Sequence, residues 1–492
     1  MAYLLGIDLG TSSVKCLLTD EKGYKISSKS IEYNVLVVQV GYAEQDPAMW
    51  WKSTVQCIAM LLKECQIASD EIISIGLTGQ MHGTVLLEKN NNVLMNAIIH
   101  CDGRSQSEIE DIYKRLGKEL FSINSYNPLF TGSQMASLMW IKHSHPELFD
   151  RIHKIILPKD YIRFMLTGEV GTEITDASGT LFYDIKKKCW SEFLLGALEL
   201  EECKFASVHE TYEIAGYISR SAAALTGLKE GTPVVFGAGD QPAQALGNGA
   251  IKPGIATSNI GTAGQIFTST VTPVFNPQMN TNTFCHAPMN TWYIMGAVLS
   301  AGLSLKWYTD QIIQNNNYKH LDSMAEAIIP RTGSLIFLPY LCGERTPHLN
   351  PKAKGMFFGL TLEHTFVHMY RAAMEGVVFS LKDSISLLET LGVDINRIIA
   401  SGGGANSSLW LQMQADIFNR EIITTASNEQ ASLGAAIIAA VGCGLYKNLE
   451  EASDVMVRLG HAKAYPKKEN VKVYAENYEK YKELYNRTAD LY

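Results

Sequence analysis

Two carboxylates and two Gly-Thr turns carry the chemistry open to this chain. Asp240 follows the apolar run Thr232–Phe236 through Gly237-Ala238-Gly239 and precedes a helix that starts near Gln244. A carboxylate at the end of a buried strand can accept the proton of an attacking hydroxyl. The same placement suits a helix N-cap. Asp8 lies in Leu4–Leu18, where two apolar, strand-like runs flank the turn Gly10-Thr11-Ser12. Two such runs joined by a short glycine-containing turn suggest a β-hairpin. Consecutive N–H groups and two hydroxyls at its tip suit an anion, phosphate above all. A lone carboxylate beside that tip would repel phosphate unless Mg²⁺ bridged the two.

A second copy strengthens this reading. Ser258-Asn259-Ile260-Gly261-Thr262-Ala263-Gly264 repeats the pattern 251 residues later, with Gly261-Thr262 answering Gly10-Thr11 and Asn259 replacing Asp8. A repeat at about half the chain length suggests two related domains, whose hairpin tips would hold a nucleoside triphosphate across a cleft. A further match pairs the strand–glycine turn–helix at Val234–Ala245 with that at Ile398–Gln414. On this pairing the first half carries about 86 more residues than the second, the surplus expected of a substrate-recognition side. Gly402-Gly403-Gly404 would let a flat group, in a nucleotide reading adenosine, approach the backbone.

The elements that must position these residues alternate between strand and helix. Asp46-Pro47 opens an amphipathic helix, Ile72–Leu77 is a buried strand, and Thr78–Gly83 is a polar break carrying Met81 and His82. Asn96–Cys101 delivers Asp102-Gly103-Arg104 at a strand end, where α/β sheets gather ligand contacts. Phe366–Leu388 and Gln430–Val441 read as helices, the latter of small residues. The last charged helix, Asn470–Tyr492, puts Tyr474, Tyr478, Tyr481 and Tyr485 on one side.

With 492 residues, two domains are the expectation, and a net charge of −8 without a basic patch argues against nucleic acid. Nine cysteines with no C-x-x-C pair fit a reduced, cytoplasmic setting. Ala431–Leu445 is too short and too rich in Gly and Ala for a membrane span. Neither G-x-x-x-x-G-K-[ST] nor G-x-G-x-x-G nor H-E-x-x-H occurs.

Six motifs occur together: Gly6-Ile7-Asp8-Leu9-Gly10-Thr11-Ser12, Gly79-Gln80-Met81-His82-Gly83, Leu157-Pro158-Lys159-Asp160-Tyr161, Gly239-Asp240, Gly343-Glu344-Arg345-Thr346-Pro347-His348 and Gly402-Gly403-Gly404. With them, and with Gly355–Glu375 fitting the family's second signature, the chain resembles the FGGY carbohydrate kinases over almost its full length. The resemblance implies an α/β fold of duplicated actin-like ATPase (ribonuclease H-like) domains with the active site in the interdomain cleft. It places a sugar-binding and catalytic domain at 1–247, a nucleotide-binding domain at 248–455 and a helical tail, packed on the first domain, at 456–492.

The implied reaction is ATP-dependent phosphorylation of a ketopentose, D-xylulose to D-xylulose 5-phosphate. Asp240 would be the general base. Met81, His82, Asp102, Arg104, Asp240 and Gln241 would face the sugar. Gly10, Thr11, Ser12, Lys15, Gly261 and Thr262 would cradle phosphates, and Gly403, Gly404 and Asn406 would contact adenosine. Asp8, with Asp240, would hold Mg²⁺. The implied partners are a small sugar and ATP, with neither nucleic acid nor membrane, and a homodimer is compatible with this. Two departures bear on the sugar: Ser137 stands where the first signature has Lys, and His100-Cys101 where D-xylulose members usually have Trp-Asn. Ribulose, L-xylulose, gluconate and glycerol are the alternative substrates. A non-catalytic actin-like sensor is the alternative of another kind, and Asp240 and the 343–348 loop argue against it.

Overall fold

The computed structural model describes residues 2–330 and 335–492, the side chain of residue 461 excepted. Two seven-stranded sheets organise them. The first contains β1 (Tyr3–Leu9), β2 (Ser13–Asp20), β3 (Lys25–Glu32), β4 (Ile72–Gly79), β5 (Ile214–Tyr217), β6 (Pro233–Val235) and β7 (Ala238–Gly239). Their order is β5-β6-β4-β1-β2-β3, with β7 also pairing β4. The second contains β8 (Gly254–Ile260), β9 (Gly264–Thr270), β10 (Asn282–Cys285), β11 (Trp292–Val298), β12 (Ile395–Ser401), β13 (Ile422–Thr425) and β14 (Leu459–Ala464), in the order β10-β11-β9-β8-β12-β13-β14. The path β3-β2-β1-β4-β6 thus recurs as β11-β9-β8-β12-β13. This is the duplicated actin-like architecture, and both hairpins are present: β1 pairs β2 antiparallel with Asp8 opposite Lys15, and β8 pairs β9 with Asn259 opposite Gln265.

Strand order corrects one pairing read from sequence. β12 answers β4, and the strand that answers β6 is β13. The Gly402–Gly404 turn is therefore not the counterpart of the Gly237–Asp240 turn; both are glycine-rich for different local reasons. The two halves also differ in where they are expanded. The first carries its long insertion between β4 and β6, the second between β11 and β12.

Six helices matter for the site. α1 (Pro47–Cys65) starts at Asp46, whose carboxylate accepts the Ala48 N–H at 2.9 Å, with Pro47 in the first turn. α2 (Ile174–Gly179) is a short buried helix within the first insertion, in a stretch whose Thr, Gly and Asp content reads as loop. α3 (Asp240–Asn248) follows β7, and α4 (Phe366–Thr390) is the long helix of the second half. α5 (Gln430–Gly442) is the small-residue helix, and α6 (Lys468–Thr488) closes the chain. Among the described residues no helix is long and apolar enough to cross a membrane.

The tail is a second correction. α6 packs on the second half: the Tyr474 hydroxyl donates to Glu375 and accepts from Arg371, both at 2.8 Å, and the Tyr478 hydroxyl donates to Asp383 at 2.6 Å. The Tyr481 hydroxyl meets that of Tyr340 at 2.7 Å. Spacing explains the match. Tyrosines one turn apart on α6 face Glu375, Phe379 and Asp383 one turn apart on α4, so every buried hydroxyl finds a polar group. The preceding β14 extends the second sheet as well.

Candidate active site

Strand register brings the two carboxylates together. β1 and β7 lie parallel to β4 on its two sides, with Asp8 and Ala238 both level with Thr78, and Gly239 level with Gly79. Asp240 is the next residue. Asp8 and Asp240 thus end strands separated by a single strand, roughly 10 Å between backbones. Burial pushes the Asp240 carboxyl up to about 7, with the Asp8 charge adding to it. Burial likewise lifts Asp8 to about 6; Lys15 opposes the shift and Glu429 reinforces it. Two desolvated carboxylates facing one another are the donor set that a hard divalent cation relieves. Among the described residues no group of three or more His, Cys, Asp or Glu converges as a metal site. A cation here would draw its remaining ligands from phosphate and water.

Asp240 opens into a cavity of about 340 Å³, lined from the first half by Met81, His82, His100, Phe130 and Gln241 and from the second by Asn280, Asn282, Tyr293 and Arg345. His82 sits in the left-handed region at φ 71°, and its Nδ1 lies 2.7 Å from the Gly179 carbonyl oxygen. Burial pushes its imidazole down to about 4, so it is neutral near pH 7. Facing a carbonyl, Nδ1 must carry the proton, and Nε2 is left as an acceptor. Met81 packs on Gly239, where a Cβ would lie 2.7 Å from Met81 Cγ. Gln265 of β9 donates to the Gln241 side-chain oxygen, tying the second hairpin to this wall.

A larger cavity, about 730 Å³, lies in the second half. Gly261, Thr262, Gly403, Gly404 and Asn406 line it together with Tyr318 and Trp410. Gly402, directly before the lining residues Gly403 and Gly404, sits at φ 74°, and a Cβ there would lie 2.3 Å from Asn259 Oδ1 and 2.6 Å from the Ile260 carbonyl oxygen. The turn Gly10–Ser13 closes through the Gly10 N–H to the Ser13 carbonyl oxygen at 3.0 Å, and Tyr33 donates to the Gly10 carbonyl oxygen at 2.6 Å. Gly10, Thr11 and Ser12 line neither cavity. Lys15 lines neither as well; its ammonium is 2.6 Å from Glu429 Oε2, at the start of α5.

The structure takes Asp102 and Arg104 out of the cavity wall. Asp102 is buried, accepting from Ala43 N at 2.6 Å and from Arg104 N and Nε at 2.9 Å. The Arg104 guanidinium also reaches Glu44 at 2.8 Å and lies against the Tyr42 ring, 3.8 Å from its centroid. Every charge in this cluster is satisfied internally, which makes it a structural clasp. Sequence reasoning missed the second-half contribution to the smaller cavity. The Gly343–His348 motif was its one signal, since Arg345 and Thr346 lie in that wall.

The N-terminal domain model of the FGGY family of carbohydrate kinases matches residues 3–247, and the family's C-terminal domain model matches residues 256–443. The chain belongs to the FGGY family of carbohydrate kinases. Xylulose kinase of Bacillus subtilis (strain 168) is 35% identical over 491 residues, covering 100% of this chain and 98% of that protein. A gluconokinase of Bacillus licheniformis is 32% identical over 488 residues, covering 96% and 93%. The crystal structure of a "xyloylose kinase" from Brucella ovis superposes with a TM-score of 0.92 at 33% identity, covering 100% of both chains. As an FGGY family member the protein is a sugar kinase, and the family implies ATP as phosphoryl donor.

Proposed function

We propose that this kinase phosphorylates a ketopentose, D-xylulose foremost, at its terminal hydroxyl, with Asp240 as general base. The observation that carries the reading is Asp240 at the head of the smaller cavity, its carboxyl lifted to about 7. A base so tuned holds a proton weakly enough to be ionised in half the molecules near neutrality, yet strongly enough to draw one from a hydroxyl. His82 Nε2, Gln241 and Asn282 supply acceptors and donors for the remaining hydroxyls. Gly261, Thr262, Gly403, Gly404 and Asn406 would hold the nucleotide in the larger cavity, and Gly10, Thr11 and Ser12 its phosphates. Lys15 would act there through Glu429 and Asp8 by charge. Bound Mg²⁺, held by Asp8 with Asp240 nearby, would neutralise developing charge on the phosphate oxygens.

Relatives named xylulose kinase support D-xylulose. A sugar acid is the second reading, favoured by Arg345, whose guanidinium lines the cavity and forms no close ion pair among the described residues, the adjacent Glu344 acting on it only by charge, and by the gluconokinase relative. ADP release with Mg-ATP is the test, measured against D-xylulose, L-xylulose, D-ribulose, L-ribulose, gluconate and glycerol. A preference for D-xylulose upholds the reading. Preference for gluconate replaces the substrate and keeps the base. No sugar-stimulated release from folded, ATP-binding protein overturns it.

A further inference from the structure

The Leu157–Tyr161 motif has no place in the chemistry above, yet it holds one end of a buried network that terminates one residue before Asp240. Lys159 is fully buried, with Asp160, Asp176 and Glu173 at 2.9, 3.0 and 3.2 Å. Glu173 caps α2, accepting from Thr175 N at 2.7 Å and Asp176 N at 3.0 Å, and it takes the Thr175 hydroxyl proton at 2.9 Å. With its single proton so spent, Thr175 Oγ1 can only accept on its other side, and it accepts the Gly239 N–H at 2.9 Å. Donation runs one way from Gly239 through Thr175 to Glu173, and Lys159 donates to the same carboxylate from the other side.

α2 makes two more contacts with the cavity's frame. The Gly179 carbonyl oxygen at its end takes the His82 Nδ1 proton at 2.7 Å. Ser178 Oγ accepts the Cys285 N–H of β10 at 3.2 Å, a bond to the other sheet. One short helix thus fixes Asp240's backbone, the sugar-facing imidazole and the opposite half. Burying Lys159 and Arg163 with three carboxyls is a costly way to hold a loop; among the described residues Asp160 Oδ2, Asp176 Oδ1 and Arg163 Nε are left without a hydrogen bond, whereas the Gly239–Thr175–Glu173 limb is fully paired.

We infer that Thr175, held by Glu173 and Lys159, is a positioning residue that sets the Asp240 carboxylate through the Gly239 N–H. The inference rests on the reading of Asp240 as the base. Thr175→Val keeps the shape but removes both the acceptor for Gly239 and the donor to Glu173; Thr175→Ser restores the hydroxyl. Steady-state kinetics of the full-length protein with Mg-ATP and its best sugar, alongside Asp240→Asn, test it. Thr175→Val should lower kcat about 10- to 100-fold, the scale of a small misplacement of a reacting group, with the KM for ATP within about twofold. Thr175→Ser should stay within about threefold of wild type in kcat. The inference is overturned if the valine variant keeps kcat within twofold of wild type, or if the serine variant is as slow as valine while both bind ATP. Should the valine variant not bind ATP, Thr175→Cys, similar in size but a far weaker donor and acceptor, is read in the same way. Wild-type turnover by Asp240→Asn is a separate outcome and refutes the base assignment instead.

Discussion

Replacing Asp240 by Asn should abolish sugar phosphorylation and stabilise the fold at the same time. The carboxyl is lifted from its ordinary 3.8 to about 7, burial first and the Asp8 charge second. A folded-state value above the unfolded one means the native protein binds the extra proton. Stability is therefore lost as pH rises from about 4 to about 7 and stays level above that. The rise from 3.8 to about 7 corresponds to about 4 kcal/mol, and solvent entering the open cavity reduces this to about 2 kcal/mol. Asn has no proton to lose, so its advantage over Asp should be small at pH 4, widen through pH 7 and remain constant to pH 9. For a domain of 150–250 residues, 2 kcal/mol is roughly 4 to 8 °C in the unfolding midpoint. Thermal unfolding of both proteins at half-unit pH steps measures the gap, and coupled ADP release measures turnover, which should fall by about 10²- to 10⁴-fold or more. A gap that does not change with pH, or an Asn variant less stable than wild type at pH 8, would refute the argument that burial tunes Asp240.

Asp8→Asn should raise the Mg²⁺ concentration needed for half-maximal rate and lower the rate at least about tenfold; an unchanged Mg²⁺ titration removes Asp8 from the site. Arg104→Leu should destabilise the fold by about 3–5 kcal/mol, because it leaves Asp102 and Glu44 without their cation, while the KM for sugar stays within about threefold. Urea unfolding and sugar titrations separate these two effects. Tyr474→Phe strips a hydroxyl from both Arg371 and Glu375 and should cost about 1–3 kcal/mol by urea unfolding, with kcat unchanged.

The parts legible in the sequence were those where local pattern and chemistry coincide. Asp46-Pro47 announced α1, and the twin Gly-Thr turns announced two related hairpins. Met81, His82, Asp240 and Gln241 share one cavity, as their places at strand ends suggested. What failed needed three-dimensional knowledge. Sequence pattern puts Asp102 and Arg104 at the end of a strand spanning Asn96–Cys101, but the strand is only Ala97–Ile98 and a turn precedes Asp102; the carboxylate and the guanidinium pair with each other and with Glu44. The tyrosine side of α6 was visible, whereas the surface it covers was not, since Glu375 and Asp383 read only as polar positions on a long helix. The pairing of the glycine turns at 237–240 and 402–404 failed because glycine marks close approach without saying to what. Gly237 would clash with the Leu77 carbonyl oxygen at 2.0 Å, Gly402 with Asn259 and Ile260.

The small-residue helix shows what glycine and alanine were reserved for. A Cβ on Gly247 of α3 would stand 1.9 Å from the Gln430 carbonyl oxygen, and one on Gly434 of α5 would stand 1.9 Å from that of Ala243. These contacts are reciprocal between α3 and α5, the helices that follow the corresponding strands β6–β7 and β13 of the two sheets. α5 also lies on the first sheet, where a Cβ on Gly6 or Gly76 would stand 2.0 and 1.9 Å from the Ser432 and Ala435 carbonyl oxygens. Backbone therefore meets backbone at four points around one helix, with no side chain to yield. Asp240 is the first residue of α3, and Glu429, directly before α5, pairs with Lys15 opposite Asp8. The spacing of Asp8 and Asp240 is set within the first sheet by the pairing of β1 and β7 with β4, while α5, packed on that sheet and against α3, holds Glu429 beside Lys15 and backs the first turn of α3. A methyl group at Gly434 would push α3 away from α5 and so shift its first residue, Asp240, relative to the strand that carries Asp8; these glycines bear on the proposed base without lining its cavity.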